Sequence, residues 1–121
     1  MSDRPRRRPV DPFLPVGPVV FDILLALSDE ERHGYAILQE VAARSRGATV
    51  LLPGTLYRAL HRMLKDGWVA ESARRPAADQ DDERRRYYRL TPAGRRVAAA
   101  EAERLHRLVT VARAHRLLSR A

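Results

Sequence analysis

The sequence predicts a mainly α-helical fold with one small β-hairpin, and three observations lead to this prediction. Three segments repeat apolar residues at helical spacing, a fourth is almost wholly apolar, and two short runs after Gly67 have the character of strands. Pro and Gly residues mark the boundaries between these segments. The chain has 121 residues, 45% of them hydrophobic, which suffices for one compact domain with a core. A domain of this size is marginally stable alone, so a second subunit is expected.

Residues 1–17 are predicted to be a disordered basic arm. Prolines interrupt this segment repeatedly and little of it is apolar. Its arginines are Arg4, Arg6, Arg7 and Arg8. No signal-peptide core follows them, and no apolar run in the chain approaches the ~18 residues of a membrane span. We therefore expect a soluble, cytoplasmic protein with no membrane partner.

Three helices are predicted in the domain that follows, residues 18–91. They span residues 19–27, 35–44 and 53–67. Pro53 suits the first position of the third helix, and Gly67 can take the left-handed conformation that ends it. The first helix is apolar on most sides and must be covered on most sides, so we expect a dimer contact through Phe21 and Leu24.

The rest of the chain is predicted to form a hairpin and a last helix. Strands at residues 68–73 and 84–90 flank a long polar loop, and Thr91 and Pro92 supply the cap and first-turn proline of a helix ending near residue 118. A broad apolar stripe on this helix, within residues 92–121, indicates a dimer seam. Its candidate interface residues are Leu105, Leu108, Val109 and Ala112. Three helices, a hairpin and a further helix are the order of a winged helix-turn-helix domain with a C-terminal dimerisation helix.

The charge of the chain points to an anionic partner. Basic residues number 23 against 15 acidic ones, a formal charge of +8, and Lys65 is the single lysine among them. Arginine binds phosphates and base edges in bidentate fashion, although a GC-rich genome also enriches arginine codons. Composition alone leaves nucleic acid, an acidic protein and a membrane surface open. The chain has no cysteine and four scattered histidines, which predicts no metal site and no cofactor.

The third helix has two contrasting faces. At roughly 100° per residue, one arc is apolar: Leu56, Ala59, Leu60, Met63 and Leu64. The opposite arc carries candidate DNA-binding residues: Gly54, Thr55, Arg58, His61, Arg62 and Lys65, with Tyr57 at the border. A major-groove helix needs an apolar back and long donors in front. An ordinary solvated face is the alternative, but the position directly before a hairpin favours DNA.

Four segments resemble the PadR family of regulators. They are His33 to Ile37, Pro53 to Tyr57, Leu60 to Val69 with its Asp66-Gly67 turn, and Arg85 to Gly94. The resemblance covers nearly everything except the arm. It implies a dimeric regulator, usually a repressor, that grips double-stranded DNA with the third helix and the wing, and so is associated with the nucleoid. It also implies that its first and last helices build the dimer interface, and it makes a small aromatic effector a candidate partner.

Two departures from the family pattern affect these expectations. Some drug-sensing relatives stack ligands on a tryptophan of the last helix, whereas the single tryptophan here, Trp68, opens the first wing strand and is expected in the core. The wing loop is acidic, so its tip is doubtful as a DNA contact. The arginines beside it, Arg84, Arg85 and Arg86, are candidate DNA contacts, or alternatively neutralise the loop.

Three interpretations compete with a PadR-like repressor, and the third of them is an enzyme that binds a small molecule. One is another winged-helix regulator of the MarR-like kind, and another is a basic, non-specific RNA-binding or ribosome-associated protein. The amphipathic third helix and the apolar stripe favour the regulator. Catalysis finds no support, because no glycine-rich phosphate loop and no nucleophile with a suitably spaced base is present.

Overall fold

A computed structural model describes residues 11–73 and 86–118 of the chain. Within these ranges the helices are α1 (Pro18–Ala26), α2 (Gly34–Arg44), α3 (Pro53–Lys65) and α4 (Pro92–Ala114). The strands are β1 (Arg32–His33), β2 (Val69–Glu71) and β3 (Tyr87–Leu90). This order confirms the predicted winged helix-turn-helix with an added C-terminal helix. None of the helices in the described ranges is long and apolar enough to cross a membrane.

Local sequence signals fix where the helices begin and end. The His33 side chain caps α2, because its Nδ1 accepts the Ala36 backbone N–H at 3.1 Å. Thr91 caps α4 by accepting the Gly94 N–H at 3.0 Å, and its hydroxyl donates to the Gly67 carbonyl at 2.6 Å. Gly67 has φ of 81°, the left-handed conformation predicted for the end of α3. Thr91 therefore starts α4 and also connects it to the end of α3.

The sheet is antiparallel with strand order β1–β3–β2. Val69 lies opposite Leu90, and Arg32 lies opposite Tyr88. β1 falls between the first two predicted helices, where no strand was predicted, since two residues are too few to show strand alternation. β2 is shorter than predicted and ends at Glu71. The whole of the predicted wing loop, residues 74–83, lies outside the described residues.

The core centres on α1, and this corrects one of the predicted dimer contacts. The largest fully buried side chains of the core are Ile23, Leu24, Ile37, Leu56, Leu60, Met63 and Val97. Leu24 has no exposed surface within one chain, so it does not serve as an interface residue. The reason is that α1 contacts α2, α3 and α4 of its own chain, which together cover its apolar sides. Phe21 is half-buried against the same core.

The segment before α1 also differs from its prediction. Asp11–Phe13 forms a turn of 3-10 helix, although residues up to 17 were expected to belong to a disordered arm. The Phe13 ring lies 5.5 Å from the Trp68 ring, nearly perpendicular to it, and Val16 packs against the core. Trp68 itself is only 8% exposed, as predicted for a core residue. Apolar residues between the prolines give this segment enough surface to bury. Residues 1–10 lie outside the described ranges.

Candidate nucleic-acid interface

Helix α3 presents the two faces that its sequence predicts. Leu56, Leu60 and Met63 are at most 1% exposed and hold the helix on the core. The outward face carries the exposed residues Gly54, Arg58, His61, Arg62 and Lys65, with Thr55 half-buried beside them. Because the buried side chains fix the rotation of the helix, the direction of the exposed face is fixed as well.

The cations of this face are available to a ligand. Across the described parts of the chain, no carboxylate forms a salt bridge with Arg58, Arg62 or Lys65. Among the described residues, Arg58 makes one long polar contact, 3.4 Å from its Nη2 to the Thr55 hydroxyl, which weakly orients the side chain along the helix. Unpaired guanidinium and ammonium groups on one rigid face suit phosphate oxygens and base-edge acceptors.

The first turn of α3 allows close approach of a ligand. A Cβ atom added to Gly54 would meet only the Arg58 Nη1 within 4 Å, at 3.5 Å, so the surface there is open. The first N–H groups of a helix have no carbonyl partner within the helix and carry partial positive charge. Pro53 occupies the first position and has no backbone N–H to donate. The N–H groups of the residues that follow it are therefore the ones that can bind an anion.

Tyr57 lies at the boundary between the exposed face and the core. It is half-buried and packs against the core cluster. Its ring covers the start of α2, because a Cβ on Gly34 would collide with the Tyr57 hydroxyl oxygen. The predicted DNA-facing tyrosine is therefore also a spacer between α2 and α3, and Gly34 provides the room for it.

The wing contributes one described arginine of the three predicted. Arg86 is exposed, and its Nη1 lies 3.3 Å from a carboxylate oxygen of Glu71 across the hairpin. Its charge is thus partly neutralised by the neighbouring strand, whereas the acidic loop of the alternative interpretation lies outside the described residues. Arg84 and Arg85 lie outside the described residues. Arg89 is exposed on β3 and was not among the predicted site residues.

Two charged side chains with structural roles were not anticipated from the sequence. Arg32 is surrounded by Asp29, Glu30 and Glu40, and its Nε donates to the Ala26 carbonyl at the end of α1. Glu101, on α4, is only 2% exposed. Its carboxylate binds Arg104 at 2.7 and 3.0 Å and accepts the Val16 N–H. These hydrogen bonds hold the pKa of Glu101 below its ordinary value, against the opposing effect of burial.

The second half of α4 exposes apolar side chains. Leu108, Val109 and Val111 are 54%, 40% and 51% exposed, whereas Leu105 and Ala112 are half-buried. In the first half, Val97 is 2% exposed against the core. Exposure of an apolar helix face of this kind to water is unfavourable, and the face is stabilised when another surface covers it. No group of three or more metal-ligating side chains occurs in the parts of the chain that the structure describes.

A helix-turn-helix followed by a hairpin, with exposed cations on its third helix, is the arrangement found in winged-helix transcriptional regulators. The sequence profile of the transcriptional regulator PadR-like family matches residues 23–100. The chain belongs to the PadR-like family. This membership confirms the resemblance inferred from the four sequence segments and decides against a MarR-like assignment.

Individual relatives agree with this assignment. The chain is 38% identical over 86 residues to the transcriptional regulator Rv3488 of Mycobacterium tuberculosis, which covers 71% of this chain and 74% of that protein. A PadR family transcription regulator from Clostridium difficile has the same fold with a TM-score of 0.67 at 24% identity, over 82% of this chain and 98% of that one. Bacillus subtilis PadR, solved in complex with operator DNA, matches with a TM-score of 0.61 at 17% identity, over 71% of this chain and 47% of that one.

Proposed function

We propose that this regulator is a homodimeric repressor that binds operator DNA through α3 and the wing. The observation that carries the proposal is the exposed face of α3, where Arg58, Arg62 and Lys65 have no carboxylate partner among the described residues. Its 13 residues give α3 a length of about 20 Å, and the major groove is about 12 Å wide. A helix of this length can lie in the groove while Gly54 approaches the phosphate backbone.

The proposed dimer contact lies on α4 rather than on α1. The exposed side chains of Leu108, Val109 and Val111 form an apolar face that a second copy of the same helix would cover. A two-fold dimer would present two α3 helices to half-sites about one helical turn, or ~34 Å, apart. We therefore propose binding to a palindromic operator and no enzymatic activity. The relative bound to operator DNA supports this mode of action.

The decisive experiment is selection of binding sites from a random double-stranded DNA pool with the full chain. We expect enrichment of a palindrome and a specific complex on it that survives excess unrelated DNA and excess RNA. Enrichment of no sequence, or equal competition by RNA, would favour the RNA-binding alternative. A reporter gene placed behind the selected palindrome then gives the sign of regulation, and we expect lower expression when the protein is present.

A further inference from the structure

Two large apolar side chains, those of Val50 and Leu52, are exposed directly before α3. Val50 is 70% exposed and Leu52 is 62% exposed, whereas Leu51 between them is 8% exposed and belongs to the core. Consecutive side chains point to opposite sides of an extended backbone, and Leu52 has extended dihedral angles, with φ of −79° and ψ of 145°. Val50 and Leu52, the apolar pair, therefore lie together on the outward side of the connection between α2 and α3.

Hydrogen bonds and packing fix the connection that carries the apolar pair. The Gly47 N–H donates to the Ala42 carbonyl at 2.8 Å, just beyond the end of α2. The Ser45 hydroxyl accepts the Thr49 N–H at 2.9 Å. The buried Leu51 then ties the connection to the core immediately before α3 begins. A surface that is already ordered loses less conformational entropy when it binds a ligand.

The position of Leu52 is unfavourable for the fold taken alone. Leu52 is the N-cap residue of α3. Ser, Thr, Asp and Asn are strongly preferred at this position, because their side chains accept a helix N–H, and Leu is among the least favoured residues. The Leu52 side chain has no polar atom to accept such a bond, and most of it lies outside the core. An apolar side chain placed in this way becomes favourable when a ligand covers it.

We propose that Val50 and Leu52 contact thymine methyl groups in the major groove and so add a preference for thymine to each half-site. The inference rests on the proposed DNA binding through α3. In helix-turn-helix proteins, the N-terminal residues of the recognition helix contact base edges. The Leu52 Cα lies no more than about 7.6 Å from the Gly54 Cα, because the two residues are two Cα–Cα steps apart. The apolar pair is thus continuous with the exposed face of α3.

The chemistry of the base edges selects thymine among the four bases. Each base pair presents donors and acceptors in the major groove, and thymine adds the C5 methyl group. An aliphatic side chain pressed against a donor or acceptor removes it from water without a hydrogen bond, which is unfavourable. Against a methyl group, by contrast, both apolar surfaces leave water. Double-stranded RNA does not fit this surface, since uracil lacks the methyl group and side chains cannot read the narrow major groove of an A-form helix.

The test replaces each thymine of the selected operator in turn by deoxyuridine, which lacks the C5 methyl group. The native chain should lose about fourfold in affinity at each thymine that the apolar pair contacts, the equivalent of one buried CH₂ group. The same replacement should have no effect on the Val50→Ala, Leu52→Ser double variant, because its contact is already absent. Serine is a preferred N-cap residue, so α3 should be retained, and thermal unfolding of the variant checks this.

Leu117→Ala is the matched control. Leu117 is 74% exposed and lies beyond the end of α4, so its removal takes away a similar apolar surface at a distance in the chain from α3. This variant should respond to deoxyuridine as the native chain does. A second readout repeats the binding-site selection with the double variant. The palindrome should be selected again, and the preference for thymine should be lost at the positions that were sensitive to deoxyuridine.

The outcomes separate this inference from the proposed function. If the native chain selects no operator, the DNA-binding proposal itself fails. If an operator is selected but no deoxyuridine replacement weakens binding, the thymine inference alone is overturned. Equal weakening in the native chain and the double variant also overturns it, because the methyl group then acts through the DNA and not through the apolar pair. A change of oligomeric state in the double variant, measured by sedimentation, would instead assign the pair to a protein interface.

Discussion

Replacing Glu101 by glutamine should destabilise the domain, because its carboxylate joins α4 to the segment before α1. Glu101 accepts hydrogen bonds from Arg104 at 2.7 and 3.0 Å and from the Val16 N–H, and it is 2% exposed. Glutamine preserves the shape, but its amide NH₂ replaces an accepting oxygen. One buried donor then loses its partner, at a cost of about 1–3 kcal/mol. The Arg104 side chain is 29% exposed and can turn to water, so the lower half of this range is expected.

The pH dependence of this effect has a definite sign. The folded-state pKa of Glu101 is lowered from its ordinary value of 4.5 by the hydrogen bonds from Arg104 and Val16. Because the pKa is lowered, the stabilisation by the ionised Glu101 carboxylate is fully present above the ordinary pKa. It is lost as the pH falls through the folded-state pKa. The difference in unfolding free energy between the native chain and Glu101→Gln should therefore be constant from pH 7 to 5.5 and shrink below pH 4.5.

The assay is urea unfolding followed by circular dichroism at a series of pH values. Glu103→Gln is the matched control, since Glu103 is exposed on the same helix two residues away. A loss of 1 kcal/mol corresponds to a fall in Tm of roughly 4–8 °C for a domain of this size. Equal unfolding free energies for the two variants at pH 7 would refute the argument that Glu101 anchors the segment before α1.

Three further predictions concern the dimer, the start of α3 and effector binding. Leu108→Asp should give folded monomers in sedimentation experiments, because a charge would be buried in the seam, whereas Leu24→Asp should unfold the domain. A stable Leu108→Asp dimer would show that the interface lies elsewhere. Gly54→Ala should keep or slightly raise Tm, since its Cβ meets only Arg58, and should lower operator affinity in a gel shift; unchanged affinity would mean that the backbone does not approach a phosphate there. Planar aromatic drugs should bind weakly by calorimetry, since α4 has no tryptophan for stacking and Trp68 is in the core; sub-micromolar binding with release of DNA would contradict this.

The sequence predicts the periodic parts of this molecule well. The apolar arc of α3 and the cap at Thr91 depend on residues close together in the chain, and both occur in the structure as expected. The buried faces of Leu56, Leu60 and Met63 fix the orientation of the predicted site.

The features that the sequence does not predict depend on contacts between distant segments. Glu101 lies among other charged residues of α4 and has the pattern of a solvated position, yet it is buried and accepts the Val16 N–H from a distant segment. Leu24 is as apolar as an interface residue would be, and only the packing of three helices around α1 shows that its own chain covers it. β1 owes its existence to pairing with β3, since Arg32 and His33 have no strand pattern of their own.

The affinity of the Arg58→Ala, Arg62→Ala double variant for the selected operator tests the central claim most directly. Each arginine that reads a guanine should contribute about 1–3 kcal/mol of specific binding, so the double variant should bind roughly 30-fold to 20,000-fold more weakly at physiological salt. Both side chains are exposed, so its unfolding free energy should match that of the native chain. Arg113→Ala, which removes an exposed cation from the last turn of α4, should bind like the native chain. Native affinity in the folded double variant would contradict the assignment of this face of α3 to DNA.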